Sequence, residues 1–446
     1  MWSAEKLAGL ITEFDPSVIS QATRGKVSDL VIDVVGAAAA GARTEAAAAT
    51  RAVCQGLFFP GLALCWFTDK RLSPAAAAFA NSAAAVALDI DDGHRRAIGH
   101  PGAAIIPAMI AEAEARGASS EELLAAIVVG YEAGIRVASA QSNRQDSRLY
   151  ATGRWAPVAV AAGLGFLRRL DRASVAQALA IAATHRPAQL PSGTSKQLGH
   201  AKEGIAWASF TGFVAVDLAQ NGFTASLDIF DIPELFDGSA LDRDWGEVIE
   251  IDRTYTKPYS CCRWIHAAID ALRIIMDREA VLARDISRVG VHTIGPAVRL
   301  NNKPDPSAHF EAQFSVPFCL AVAAIEGSNA LVLPDPAVLH RSDLISFARK
   351  VDLRIDPELD ALFPARTSAR LVVETRSGVY EHQVDFPKGE PDNAMTRSEL
   401  LEKFERLCTF GHGPSKAARL ATAFAILDDR TLDNVTQHIS EIILPT

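Results

Sequence analysis

Basic residues are the minority in this 446-residue chain: 44 Lys and Arg stand against 53 Asp and Glu, a formal charge of -9. A nucleic-acid partner needs a basic field, so this balance argues against one. Cysteine is scarce as well. The six residues at 54, 65, 261, 262, 319 and 408 contain no CxxC pair, which fits a reducing compartment better than a disulfide framework. The opening MWSAEKLAGLITEFDP carries Glu and Asp and lacks the basic-then-apolar pattern of a signal segment. No run approaches ~20 uninterrupted apolar residues, so the expectation is a cytoplasmic protein without a membrane partner.

The usual cofactor and nucleophile signatures are missing too. There is no P-loop, no GxSxG and no HExxH, and GLGFLR at 163–168 supplies only the start of a GxGxxG, in a helical context. No phosphate-cradling loop accompanies a lysine. Asp89-Ile-Asp91-Asp92-Gly93 hints at a calcium loop, but His100 stands where that loop needs its bidentate Glu. The motifs therefore point to no metal, and they leave a pyridoxal-phosphate lysine open.

What the chain does have is 49% hydrophobic residues, enough for a large core and too many for a disordered chain. Up to about residue 255 it is Ala-rich with helical spacing: Val27, Leu30, Val31, Val34 and Val35 stripe one helix, and Leu123, Leu124, Ile127 and Val128 another. Runs such as AAAAGARTEAAAAT allow helices to approach closely. From about 285 the period changes to two in SRVGVHTI, VDLRI and ARLVVETRSGVYEHQVDF, the last with a Ser377-Gly378 turn. FSVPFCLAVAAIEG between them is helical again. Thr396 and Glu399 form a capping box that reopens the helical regime. The fold class is mainly α: a discontinuous all-helical domain over 1–264 and 393–446, with a smaller α/β lid domain over 265–392.

Chemistry concentrates in polar islands within this apolar sequence. LDIDDGHRRAIGHPG (88–102) packs carboxylates, His and Arg into a helix-breaking stretch; RLYATGRWAP (148–157) carries Arg148, Tyr150 and Arg154 before a helix. SGTSKQLGHAKEG (192–204) brings Lys196, His200 and Lys202 to a helix start, where backbone N–H groups favour anions. TKPYSCCRWIHAAIDA (256–271) joins the two regimes, a common place for a cleft, and contains Lys257 and His266. Each has a plainer reading: a solvated loop for the first two, a solvated lysine for the third, a satisfied core histidine for the fourth. Cys261 and Cys262 read as packing residues, because adjacent thiolates rarely chelate one tetrahedral ion. Together the islands offer Lys, Arg and His in excess beside an Asp cluster, the groups needed to hold polycarboxylates and move a proton at carbon.

These stretches, with EAQFSVPFCLAVAAIEG, FPKGEPDNAMTRSELLEKF and the opening AEKLAGLITEFDPSVISQATRGKVSDLVIDVVGAAAAG, resemble the MmgE/PrpD family over essentially the whole chain. That family includes 2-methylcitrate dehydratase, cis-aconitate decarboxylase and iminodisuccinate epimerase. The resemblance implies a helical domain with an α/β lid, a homodimer, a small polycarboxylate substrate and no obligatory cofactor. It places Asp89 and His100 on the family's acidic and His-Pro positions, Lys196 on its lysine and His266 on its junction histidine. Two departures tilt the expectation toward a cofactor-independent epimerase of iminodisuccinate. Trp155-Ala156 stands where lyase members have a histidine, and Phe318 where decarboxylase-type members have Tyr. The alternatives are a dehydratase or decarboxylase and, outside catalysis, a silent carboxylate-binding relative. In the epimerase reading Lys196 and His266 form the proton-exchanging pair, with His100 an alternative base and Tyr150 a proton donor. Asp89 orients a histidine, and Arg148, Arg154, His200 and Lys257 grip carboxylates.

Overall fold

The computed structural model describes residues 1–142, 151–187, 199–332 and 336–443. Helices Gln21–Gly41, Pro74–Val86, Pro101–Arg116, Ser120–Ala140, Ala156–Leu167, Arg172–Thr184 and Ile205–Gln220 pack on one another, and Arg397–His412 returns along Gln21–Gly41. Local chemistry starts these helices where the sequence suggests. The Ser20, Ser119 and Asp171 side chains accept backbone N–H bonds at helix N-termini, and Thr396 and Glu399 cap each other reciprocally. Small residues then allow intimate contact. A Cβ on Gly41 would lie 1.9 Å from the Ala84 carbonyl oxygen, so nothing larger than glycine fits where those helices meet.

Ser120–Ala140 is long and apolar enough to cross a membrane, but 94% of its most apolar window is buried inside the protein. Glu132 and Arg136 sit within it and pair at 3.1 Å, as buried charges require. It is a core helix.

The period-two segments form a four-stranded sheet of Ile286–Thr293, Val351–Ile355, Ala369–Thr375 and Val379–Val384. Ile286–Thr293 pairs parallel with Val351–Ile355 and antiparallel with Ala369–Thr375, which continues through the Ser377-Gly378 turn into Val379–Val384. The parallel pair needs a long crossover; it contains the helices Val316–Ile325 and Ser342–Ala348, which pack together. His266–Arg278 covers Ala369–Thr375 and Val379–Val384. The buried apolar residues separate accordingly: one large cluster draws on residues 4–251 and 400–439, a smaller one on residues 261–373. A short ribbon, Pro60–Leu64 with Arg71–Leu72, was not anticipated, because its strands are too short for a periodic signal.

Candidate active site

The two cores meet at the loop that follows Pro74–Val86. Asp89 has φ of 54° and Ile98 of 50°, left-handed values that a non-glycine residue adopts only when its surroundings impose them. Contacts from both sides do so. Gly93 and Tyr255 exchange backbone hydrogen bonds at 3.0 and 2.9 Å. A Cβ on Gly93 would meet the Tyr255 hydroxyl at 2.3 Å, so the two segments approach this closely only at glycine. The Ser260 hydroxyl donates to the Leu88 carbonyl. Lys403, from the returning helix Arg397–His412, donates to the Ile90 carbonyl at 2.7 Å and to Asp33 at 2.6 Å. The loop ends at His100, immediately before Pro101 starts the next helix.

These constraints gather a charge network. The Lys257 ammonium, with no exposed surface, donates to Asp89 Oδ1 at 3.0 Å and to the Asp89 carbonyl at 3.2 Å. It lies 3.3 Å from His100 Nδ1, which is 3.0 Å from Asp91 Oδ2, while His100 Nε2 is 3.5 Å from Asp89 Oδ1. Burial works against every charge here, yet the partners outweigh it. Asp89 is held below the ordinary carboxyl value by Lys257, Lys202 and His100. Lys257 is held above the ordinary lysine value by Asp89 and Asp91. For His100, burial and Lys257 oppose the proton, but Asp91 and Asp89 prevail and raise the ring above its ordinary value. Asp89, Asp91 and His100 have the spacing of a cation-binding triad, with ligand atoms within 4.8 Å of one another. The cation they face is the protein's own Lys257.

Lys202, Glu203 and Gly204 have φ of 42°, 55° and 65° at the start of Ile205–Gln220. That strained turn sends consecutive side chains in different directions. Glu203 accepts from the Thr152 backbone N and hydroxyl at 2.9 and 2.8 Å, and the same hydroxyl accepts from the His100 backbone N at 3.0 Å. Lys202 goes to a buried position, donating to Gln313 Oε1 and lying 5.0 Å from the centroid of the Phe314 ring. Burial pushes its ammonium below the ordinary lysine value, although Asp89 draws it up. Asp89, His100, Glu203, Arg263 and Phe314 line one cleft, and Lys202 lines the neighbouring cavity with His200 and Gln313. Arg263 is locked in the cleft wall by Glu390, at 2.9 and 3.1 Å, and lies 4.6 Å over the Tyr255 ring.

The site residues expected from sequence divide three ways. Asp89, His100 and Lys257 come together. Lys196, Tyr150 and Arg148 lie outside the described residues. His266, His200 and Arg154 stand elsewhere. His266 is fully buried, its Nε2 against the Cys261 carbonyl at 3.2 Å and its Nδ1 against Arg263 at 3.1 Å. Burial and then Arg263 push it well below the ordinary histidine value, a neutral ring that orients Arg263. His200 is exposed and edge-on to Phe310 at 5.1 Å. Arg154 is half-buried, with its Nε on Gln141 at 3.2 Å. All six cysteines are free, and burial raises the Cys261 and Cys262 thiols, consistent with packing roles.

Sequence reasoning named Lys202 and Asp91 within their islands but gave neither a role, and it passed over Arg263. Lys202 had a signal in the glycine two residues on, since a strained turn before a helix aims a side chain inward. Asp91 is indistinguishable by pattern from Asp92. The structure separates them: Asp92 turns into the core, accepts from Tyr131 at 2.6 Å and Gly102 N at 2.8 Å, and is pushed up to about 7 by burial.

Residues 5–244 match the MmgE/PrpD N-terminal domain and residues 259–429 the MmgE/PrpD C-terminal domain. The chain is 26% identical over 382 residues to the cis-aconitate decarboxylase-like protein oryM of Aspergillus oryzae, covering 76% of this chain and 77% of that one. It is 23% identical over 371 residues to the cis-aconitate decarboxylase of Aspergillus terreus, covering 76% and 75%. It is also 23% identical over 361 residues to that of Mus musculus, covering 75% and 72%. With matches over both halves, and the charge network where they meet, the chain belongs to the MmgE/PrpD family.

Proposed function

We propose that this protein is an enzyme that removes and returns a proton at a carbon next to a carboxylate in a small polycarboxylate. In the sharper form of this reading the outcome is inversion at Cα, with iminodisuccinate as substrate. The observation that carries it is that Lys202 and His100, biased in opposite directions, both act on the buried Asp89 carboxylate. Lys202 is held below its ordinary value, which favours the free amine. His100 is held above its own, which favours the imidazolium. Lys202 then takes the proton and His100 delivers one, or the reverse for the other epimer. Proton loss beside a carboxylate adds negative charge, which the fixed Lys257 and Arg263 cations stabilise without reorganising. Asp91 holds His100 through Nδ1 and so leaves Nε2 as the working nitrogen. The steps need no group beyond these side chains.

Inversion is favoured over a lyase reaction by Ala156. It is fully buried at the head of Ala156–Leu167, so this position offers no third proton donor for a leaving hydroxyl or a decarboxylated carbanion. The relatives named cis-aconitate decarboxylase support a second reading, a lyase acting on that class of acid. Product analysis separates the two. The purified protein is incubated with iminodisuccinate, cis-aconitate and 2-methylcitrate, and products are followed by proton NMR. Interconversion of iminodisuccinate diastereomers supports the first reading. Carbon dioxide release from cis-aconitate, or dehydration of 2-methylcitrate, with no change in iminodisuccinate refutes inversion in favour of a lyase.

A further inference from the structure

Arg263 and Lys257 act on the cleft through their field, because neither can hydrogen-bond a ligand there. All five Arg263 N–H groups are engaged. Nε and Nη2 hold Glu390, Nη2 also holds the Pro387 carbonyl, and Nη1 holds the Lys388 carbonyl and His266 Nδ1. Lys257 has no exposed surface and is directed at Asp89. His94 also lines the cleft, but its Nε2 faces the Glu250 carbonyl and its Nδ1 the Ala97 N. Tyr255 is the opposite case. It lines the same cleft and is only 6% exposed, yet its hydroxyl makes no hydrogen bond among the described residues. Nor is that oxygen closed off, unlike the unpaired Trp155 Nε1. Its position is set before any ligand arrives. Backbone bonds to Gly93 at 3.0 and 2.9 Å hold the main chain, and the Arg263 guanidinium lies 4.6 Å from the ring centroid. The missing side chain of Gly93 leaves the hydroxyl its place. Burial pushes the phenol above its ordinary value, against Lys257 and Arg263, so it stays a donor. A buried hydroxyl without a partner has lost water contacts that a ligand oxygen would restore.

We infer that Tyr255 is a further catalytic residue, its hydroxyl donating a hydrogen bond to the substrate carboxylate oxygen on which charge develops as the neighbouring C–H is deprotonated. In that step the C–H bond breaks, its proton goes to the base, and its electron pair moves onto the carboxylate as an enediolate. Reprotonation at carbon returns the pair, and Tyr255 keeps its own proton throughout. This rests on the proton-exchange reading above.

The test compares wild type with Tyr255→Phe, which deletes one oxygen and leaves the ring over Arg263. Turnover is read as exchange of carbon-bound protons in D₂O, by NMR, with iminodisuccinate and with cis-aconitate. Binding is read by calorimetry with the nitronate dianion of 3-nitropropionate, whose nitro oxygens carry charge as an enediolate does, and with succinate as the ground-state counterpart. In the variant, kcat for exchange is expected to fall about 100-fold, the scale of one oxyanion donor, while KM stays within about threefold. Nitronate binding is expected to weaken at least tenfold, with succinate within twofold and the melting midpoint unchanged. Wild-type exchange that the variant retains overturns the donor and keeps the proton-exchange reading. Equal losses for nitronate and succinate also overturn it, as does a fall of several degrees in the melting midpoint, because the hydroxyl is then structural. If wild type exchanges neither acid but binds the nitronate through the hydroxyl, the donor stands and those acids are discarded as substrates. Neither exchange nor binding of either probe overturns both.

Discussion

Replacing Lys257 by Met removes the cation at the centre of the charge network while preserving side-chain length. The ammonium is unexposed and sits 3.0 Å from Asp89 Oδ1. At that distance a unit-charge pair is worth about 5 kcal/mol with an effective dielectric near 20. Asp89 Oδ2 already lacks a hydrogen-bond partner, so the variant strands the buried Asp89 carboxylate. Breaking a buried pair from one side costs about 3–5 kcal/mol. Removing both partners leaves no stranded charge on Asp89, so Lys257→Met with Asp89→Asn recovers at least about 1.5 kcal/mol of the loss, within the usual range for coupled neighbours. The loss also depends on pH. Without Lys257, burial raises the Asp89 carboxyl above its unfolded value. A carboxyl so raised lowers stability progressively as pH climbs from its unfolded toward its folded pKa, so the gap to wild type is wider at pH 8 than at pH 5. Urea unfolding followed by tryptophan fluorescence measures all of this. A loss below about 1 kcal/mol, or strict additivity in the double variant, refutes the view that this pair holds the loop together.

The remaining predictions concern single positions. His94 is fully buried and pushed down to about 3, burial being the main cause. Its neutral fold is therefore fully stable above the unfolded value near 6.5 and loses stability as pH falls, by about 2 kcal/mol at pH 5. Urea midpoints across that window, compared with His94→Gln, should show the slope flatten in the variant. His266→Ala removes the ring between Arg263 and the Cys261 carbonyl and should lower stability by about 2–4 kcal/mol as well as activity, through lost contacts and a cavity; an unchanged urea midpoint contradicts a structural role. Gly41→Ala forces a methyl against the Ala84 carbonyl and should cost at least about 1–3 kcal/mol by overpacking, read as a lowered melting midpoint.

Many helices and strands were legible in the sequence because periodicity and caps are local. The change from helical spacing to alternation before SRVGVHTI, and the Thr396–Glu399 box, mark elements that form where they point. The site was legible only in part. Asp89, His100 and Lys257 belong to conspicuous islands, and the fold gathers them. His266 stood out as a lone histidine at a junction, but whether such a ring faces a cleft or a core depends on helix rotation, and here Arg263 and a carbonyl take both nitrogens. Lys202 shares its island with Lys196 and is set apart by three successive left-handed residues, a tertiary feature with only Gly204 to announce it.

The central claim is that Lys202 and His100 exchange a substrate proton with each other's help, and hydrogen exchange tests it without requiring knowledge of the final product. Wild type, Lys202→Ala and His100→Ala are each incubated in D₂O with iminodisuccinate or cis-aconitate, and loss of carbon-bound proton signal is followed by NMR. The account predicts rapid exchange in wild type on at least one of these acids. It also predicts a loss of at least about 100-fold in each variant, the usual scale for removing a general acid or base, with circular dichroism unchanged. Wild-type exchange rates in Lys202→Ala would contradict it and return the base to another residue.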